Sequence, residues 1–272
     1  MRRVGLLLSA LLFIAASGGL AASSYVDKPD VGGTSTFISP TLGYYQYKEE
    51  PSMMKITGPS YGLAFGHRYV GQHDFVWLLQ GEVSVVNGKY DGSLQNGSPY
   101  SYAHDRSDIA ALSLSLGRRF FITNQKDHRV AMITYIGLGY RYLLNDSSNN
   151  PHGYLRESNY VYLPVGVQLF TIKGQMVIQS QLEFDYLLQG TQHTDLPTSG
   201  KDYRLTNQQN SGYGANANLL FGRRHGSWTW LVGPYVKYWN IAESDVVVIG
   251  FEPLVEPKNN TLEAGITFRL VF

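Results

Sequence analysis

The chain is 272 residues long, with 43% hydrophobic and only 16% charged residues, a formal net charge of +1 and no cysteine. Charge is sparse for a soluble domain, there is no basic excess of the kind that binds nucleic acid, and neither a disulfide framework nor a thiolate metal site is possible. Tyrosine (20) and glycine (29) are abundant.

Met1, Arg2 and Arg3 are followed by an apolar run from Val4 to Ala16 and a small-residue stretch from Ser17 to Ser23. This is the pattern of a secretory signal peptide, spanning residues 1–22 with cleavage after Ala21 or Ala22. The run falls short of the ~20 apolar residues of a bilayer-spanning helix. Without cysteine near the cleavage point, a lipid anchor is excluded. No later stretch reaches helical-span length, so a mature chain in a membrane must cross it as a closed barrel.

Residues 23–272 read as one domain of about ten strands, eight or twelve being the alternatives, identified by period-2 alternation. The first, near Thr36–Tyr47, sets Ile38, Leu42 and Tyr44 against Ser39, Thr41 and Gly43. Next, Tyr61, Leu63, Phe65 and Tyr69 alternate with Gly62, Ala64, Gly66 and Arg68, then Trp77, Leu79, Val83 and Val85 with Gln80, Glu82 and Ser84. Leu112, Leu114, Leu116 and Phe120 oppose Ser113, Ser115, Gly117 and Arg119. Ile136, Leu138 and Tyr140 oppose Gly137, Gly139 and Arg141, and Val165 and Val167 oppose Gly166 and Gln168. The pattern continues with Leu182 and Phe184 against Glu183 and Asp185, Leu219 and Phe221 against Asn216 and Asn218, and Val232 and Val236 against Tyr235 and Lys237. The final strand runs to the last residue, with Leu262, Ile266, Phe268, Leu270 and Phe272 on one side and Glu263, Thr267 and Arg269 on the other.

Alternation alone suits a soluble sandwich as well as a membrane barrel. The connections decide between them. They alternate strictly between long (49–59, 87–106, 145–157, 189–209, 240–258) and short (71–74, 123–129, 171–174, 222–226). Short turns at one end and long loops at the other characterise a transmembrane up-and-down β-barrel of the bacterial outer membrane, and a soluble barrel has no need of that asymmetry. Aromatic residues such as Tyr44, Tyr61, Trp77, Phe120, Tyr186 and Trp228 fall near strand ends on the apolar face, where interfacial girdles sit. Pro164 and Pro234 interrupt two strands and mark a bulge or strand end.

The closing stretch "LEAGITFRLVF" resembles the C-terminal assembly signal of outer-membrane β-barrels. "GPSYGLAFGHRY", "LEFDYLLQGTQ", "GPYVKYWNIAESD" and "EPKNNTLEAGITF" are similar to the porin-like and opacity-like outer-membrane barrel families. The resemblance implies an outer-membrane location with periplasmic termini. It also implies contact with outer-membrane lipid and lipopolysaccharide, and recognition of Ile266, Phe268, Leu270 and Phe272 by the assembly machinery. It specifies architecture rather than activity.

Nine charged side chains fall on the inward face: Arg68, Glu82, Arg119, Arg141, Glu183, Asp185, Lys237, Glu263 and Arg269. In a narrow lumen they either pair into a polar plug or tune a path for a small solute. Ten strands lie nearer the filled eight-strand barrels than the open porins, which favours the plug. Ten strands are also found in omptin proteases, but the chain has no Asp-x-Asp pair, and His193-Thr194-Asp195 stands alone in a long connection. His104 and His152, in other long connections, have no recognisable serine and acidic partner for a lipid A hydrolase. The seven histidines show no metal-ligand spacing, and no cofactor is expected. Three readings remain: a non-enzymatic surface protein binding a host or environmental ligand through its long loops, a narrow channel and an outer-membrane hydrolase.

Overall fold

The computed structural model describes residues 33–51, 54–94, 97–148, 150, 153–198, 201–249 and 252–272. The expected signal peptide and His152 lie outside them. In chain order the strands are β1 (Ser35–Glu50), β2 (Lys55–Val70), β3 (Phe75–Ser93), β4 (Pro99–Asn124), β5 (His128–Asp146), β6 (Leu155–Lys173) and β7 (Met176–Thr198). They are followed by β8 (Lys201–Gln209), β9 (Gly212–His225), β10 (Trp228–Ile241), β11 (Val247–Ile249), β12 (Glu252–Leu254) and β13 (Lys258–Val271).

Every pairing is antiparallel, and the sheet closes. β1 pairs with β13 on one side and β2 on the other, and the pairing of β6 with β7 completes the circuit. β8 continues β9 beyond the rim, pairing with the outer part of β7 as β9 pairs with its inner part. The wall therefore has ten strands. Phe272 finishes the seam: its amide donates to the Thr36 carbonyl at 2.8 Å and its carbonyl accepts from the Thr36 amide at 3.0 Å.

Burial is inverted relative to a soluble protein. On β7, Leu182 faces outward and is 61% exposed, while its inward neighbour Gln181 is 7% exposed. Leu42, Leu114, Leu116, Ile136, Leu138 and Ile266 are likewise exposed around the wall. An apolar girdle with a polar interior is the arrangement that a hydrocarbon solvent selects. The lumen is not polar throughout. Val76, Leu78, Ile133, Tyr135 and Phe170 pack together inside the short-turn end, and Tyr160, Tyr162, Leu187, Trp239 and Ile241 pack higher up. Gly139 and Gly214 leave room for the last cluster, since a Cβ would lie 2.2 Å from the Tyr162 ring and 2.7 Å from the Trp239 ring.

Two sequence expectations change. Much of the long connections is strand: β3 and β4 stay paired out to Ser93 and Pro99, and β7 and β8 out to Thr198 and Lys201. Beyond the bilayer the outward residues turn polar, so hydrophobic alternation fades while the hydrogen-bond ladder continues. The prolines do not shift register either. Pro234 sits between the rungs Val232↔Phe221 and Tyr235↔Asn218, and Pro164 between Ile136↔Val165 and Gly139↔Tyr162, each against one neighbour only. The irregularities fall instead at Gly88/Lys89, Phe121/Thr123 and Val161/Tyr162.

Candidate functional site: the lumen and its outer mouth

The inward parity of each strand stacks the lumen side chains into three levels. At the short-turn end, Arg68 donates Nε to the Gly33 carbonyl at 2.7 Å and lies 4.4 Å from the Phe170 ring centre. Arg119 pairs with Asp74 of the β2–β3 turn at 2.8 Å and lies over Phe121. Arg269 is packed against Phe37.

The middle level brings together most of the other charged residues singled out above. Lys237 Nζ donates to Glu82 at 2.5 Å and lies 3.9 Å from Glu263. Glu263 also accepts from the Tyr235 hydroxyl at 2.7 Å and the Ser60 hydroxyl at 2.9 Å. Glu183 accepts from Tyr135 at 2.7 Å, and Asn216 Nδ2 reaches both Glu183 at 3.0 Å and Asp185 at 2.8 Å. Arg141 makes no ion pair within 4.0 Å among the described residues, but its charge acts on Asp185 and Lys237. Its guanidinium lies 5.3 Å from the Trp239 ring centre and 5.7 Å from that of Tyr160.

The outer mouth contains residues that the sequence reading did not single out. Arg156 is buried and pairs with Glu49 of β1 and, at 3.2 Å, with Glu256 just before β13. The rings of Tyr47 and Tyr154 lie within 5.4 Å of its guanidinium carbon. Glu256 is carried there by the β10–β13 connection, which is tied down in turn: the Ser244 amide donates to the Glu256 carbonyl and the Asp245 amide to the Gln208 carbonyl, both at 3.0 Å. Beside this knot, Asp105 accepts from Tyr102 and Asn145, both at 2.5 Å. Burial pushes the Asp105 carboxyl above its ordinary range, against the lowering effect of those two hydrogen bonds. Burial raises Glu256 as well, opposed by Arg156. The signal for these residues was present in the sequence. Arg156, Ser158, Tyr160 and Tyr162 continue the inward alternation of one strand, but outside the apolar band nothing marked it.

Three cavities of about 130, 20 and 10 Å³ lie in the lumen among the described residues. The 10 Å³ cavity lies beneath Arg156, and the 130 Å³ cavity is bounded by Glu82, Glu183, Lys237 and Arg269. Two of the histidines singled out above, His193 and His104, lie outside the lumen. His193 faces outward on β7 and bonds Thr206 at 2.8 Å, Asp195 lies 4.0 Å from Arg204, and His104 is exposed on β4 with φ of 69°.

No protein-family model and no curated protein matches the chain. Among solved structures, the outer-membrane protease OmpT of Escherichia coli aligns over 92% of this chain and 99% of its own, with TM-score 0.54 and 7% identity. The fold is that of a bacterial outer-membrane β-barrel. Other matches are the transport unit of the Escherichia coli autotransporter AIDA-I (10% identity, 92% and 94% coverage, TM-score 0.38) and the attachment invasion locus protein Ail of Yersinia pestis (12%, 87% and 99%, 0.29).

Proposed function

We propose that this chain is an exported, integral protein of the outer membrane that acts without catalysis, through its projecting hairpins. Both ends of the mature barrel then face the periplasm, with the short turns. The hairpins β3–β4 and β7–β8 stand beyond the apolar girdle, where they meet lipopolysaccharide and a host or environmental ligand. One observation carries this reading: the outer mouth is closed by a side-chain knot around Arg156 that links β1, β6 and the connection before β13. A wall whose outer end is sealed while its hairpins extend outward presents a surface rather than a pore. The lack of an Asp-x-Asp pair and the outward aim of His193 favour the non-catalytic reading over a protease like OmpT.

Three experiments test it. In planar bilayers the folded protein is expected to show no stable large conductance, and sustained open steps would favour the channel. Shortening the β3–β4 and β7–β8 hairpins is expected to abolish adhesion to cells or lipopolysaccharide while heat-modifiable migration, the mark of a folded barrel, persists. Deleting Phe272 is expected to impair outer-membrane assembly and leave export to the periplasm intact, because the β1–β13 seam loses its last pair of hydrogen bonds.

A further inference from the structure

At the short-turn end of the lumen, Arg269 of β13 is 6% exposed, and no carboxylate of the described residues lies within 4.0 Å of it. Its Nε makes one long hydrogen bond, to Ser39 Oγ at 3.4 Å, and its guanidinium carbon lies 4.2 Å from the Phe37 ring centre. Neither Nη donates to a described residue. Nearby acids are engaged elsewhere: Glu263 by Tyr235, Ser60 and Lys237, and Asp74 by Arg119. Arg269 borders the 20 Å³ cavity together with Arg68, Ser35, Gln80, Gln168 and Gln179, and no acidic residue borders it. Gln168 and Gln179 are buried. The 130 Å³ cavity, which Arg269 also reaches, differs in having Glu82 and Glu183 on its wall.

A guanidinium taken out of water without a counter-charge is costly, and a ring face replaces only part of what an anion supplies. The small cavity offers an anion a cation and amide N–H donors, with no carboxylate on its wall to repel it. Size selects among anions. One water needs about 10–15 Å³ of such space, so 20 Å³ admits a single-atom ion and is too small for phosphate or sulfate. We propose that this cavity is a chloride site, the ion lying against the Arg269 guanidinium among the amides of Gln80, Gln168 and Gln179. Those residues belong to β13, β3, β6 and β7, so the bound ion ties the closing strand to strands across the lumen. The site lies at the opposite end of the barrel from the hairpins and does not depend on the surface-contact reading. Conductance would break that reading, whereas the present one fails on anion dependence.

The test is to fold the barrel in detergent in sodium gluconate, whose anion is too large for the cavity, and to follow unfolding temperature as chloride replaces gluconate at constant ionic strength. A saturating rise is expected, roughly 5–10 °C at a hundredfold excess over the dissociation constant. Bromide should act like chloride. The chloride-35 NMR line should broaden when the folded protein is added. Arg269→Gln should abolish both the rise and the broadening, while Lys258→Met, at the exposed outer rim, should keep both. An unfolding temperature that does not depend on which anion is present overturns the proposal. So does a chloride response that Arg269→Gln retains. The wild-type anion series decides even if that variant does not fold.

Discussion

The outer mouth and the middle of the lumen are made from the same residue types in opposite ways. At the mouth, Arg156 has two carboxylates and two aromatic rings around it, and the segment carrying one of those carboxylates is itself tied to β8. In the middle, Glu183 and Asp185 share the Asn216 amide and make no ion pair within 4.0 Å among the described residues. Paired charge makes a closure, because breaking it strands a buried partner. Carboxyls that share one amide tie no distant elements together, so neutralising them strands no partner.

The sharpest way to break the contrast is Arg156→Met. It leaves Glu49 and Glu256 buried together and should cost about 3–5 kcal/mol, read as a large drop in unfolding temperature in detergent. If the drop were small, the mouth would not be held by that knot. Neutralising the middle pair with Glu183→Gln and Asp185→Asn should behave differently, changing stability by about 1 kcal/mol or less and with either sign, because buried charge without a partner contributes little to lose. A loss as large as that of Arg156→Met would erase the distinction.

Asp105, beside the mouth, gives a pH test of intermediate size. Its carboxyl titrates higher in the fold than in the unfolded chain. It therefore adds stability below its unfolded pKa, and that contribution disappears as pH rises through the higher folded value. Thermal unfolding measured across the acidic range should show this decline in the wild type and a flatter profile in Asp105→Asn. The smallest effect is expected at the exposed rim, where Lys258 lies 3.3 Å from Glu50 and Lys48 lies 3.8 Å from it. Lys258→Met should shift stability by about 0.5 kcal/mol or less, since water and salt screen such pairs.

What the sequence disclosed follows from where hydrophobicity had to obey a rule. Inside the bilayer every outward residue answers to lipid, so Leu42, Leu114, Leu182 and Ile266 mark their strands and fix which neighbours point inward. Once outside, both faces of a strand meet polar surroundings. The outer part of β7 from Gln189 onward and the start of β4 at Pro99 therefore lost their signature, although the ladder continued through them. The same limit hid the mouth: Glu49, Arg156 and Glu256 are far apart in the chain and lie beyond the apolar band, so only the closed circuit brings them together. Parity placed Arg269, Glu183 and Asp185 on the inward face, but it could not tell which of the inward charges would find partners.

The seam between β1 and β13 constrains how the molecule is made. Phe37 faces Val271 and Thr36 bonds Phe272, so the first strand of the barrel waits for the last. Contacts of such long sequence separation form late and slow folding. Until they form, β1 and β13 both present unpaired edges open to the wrong partner. The barrel has no finished half: both edges stay open until β1 and β13 meet.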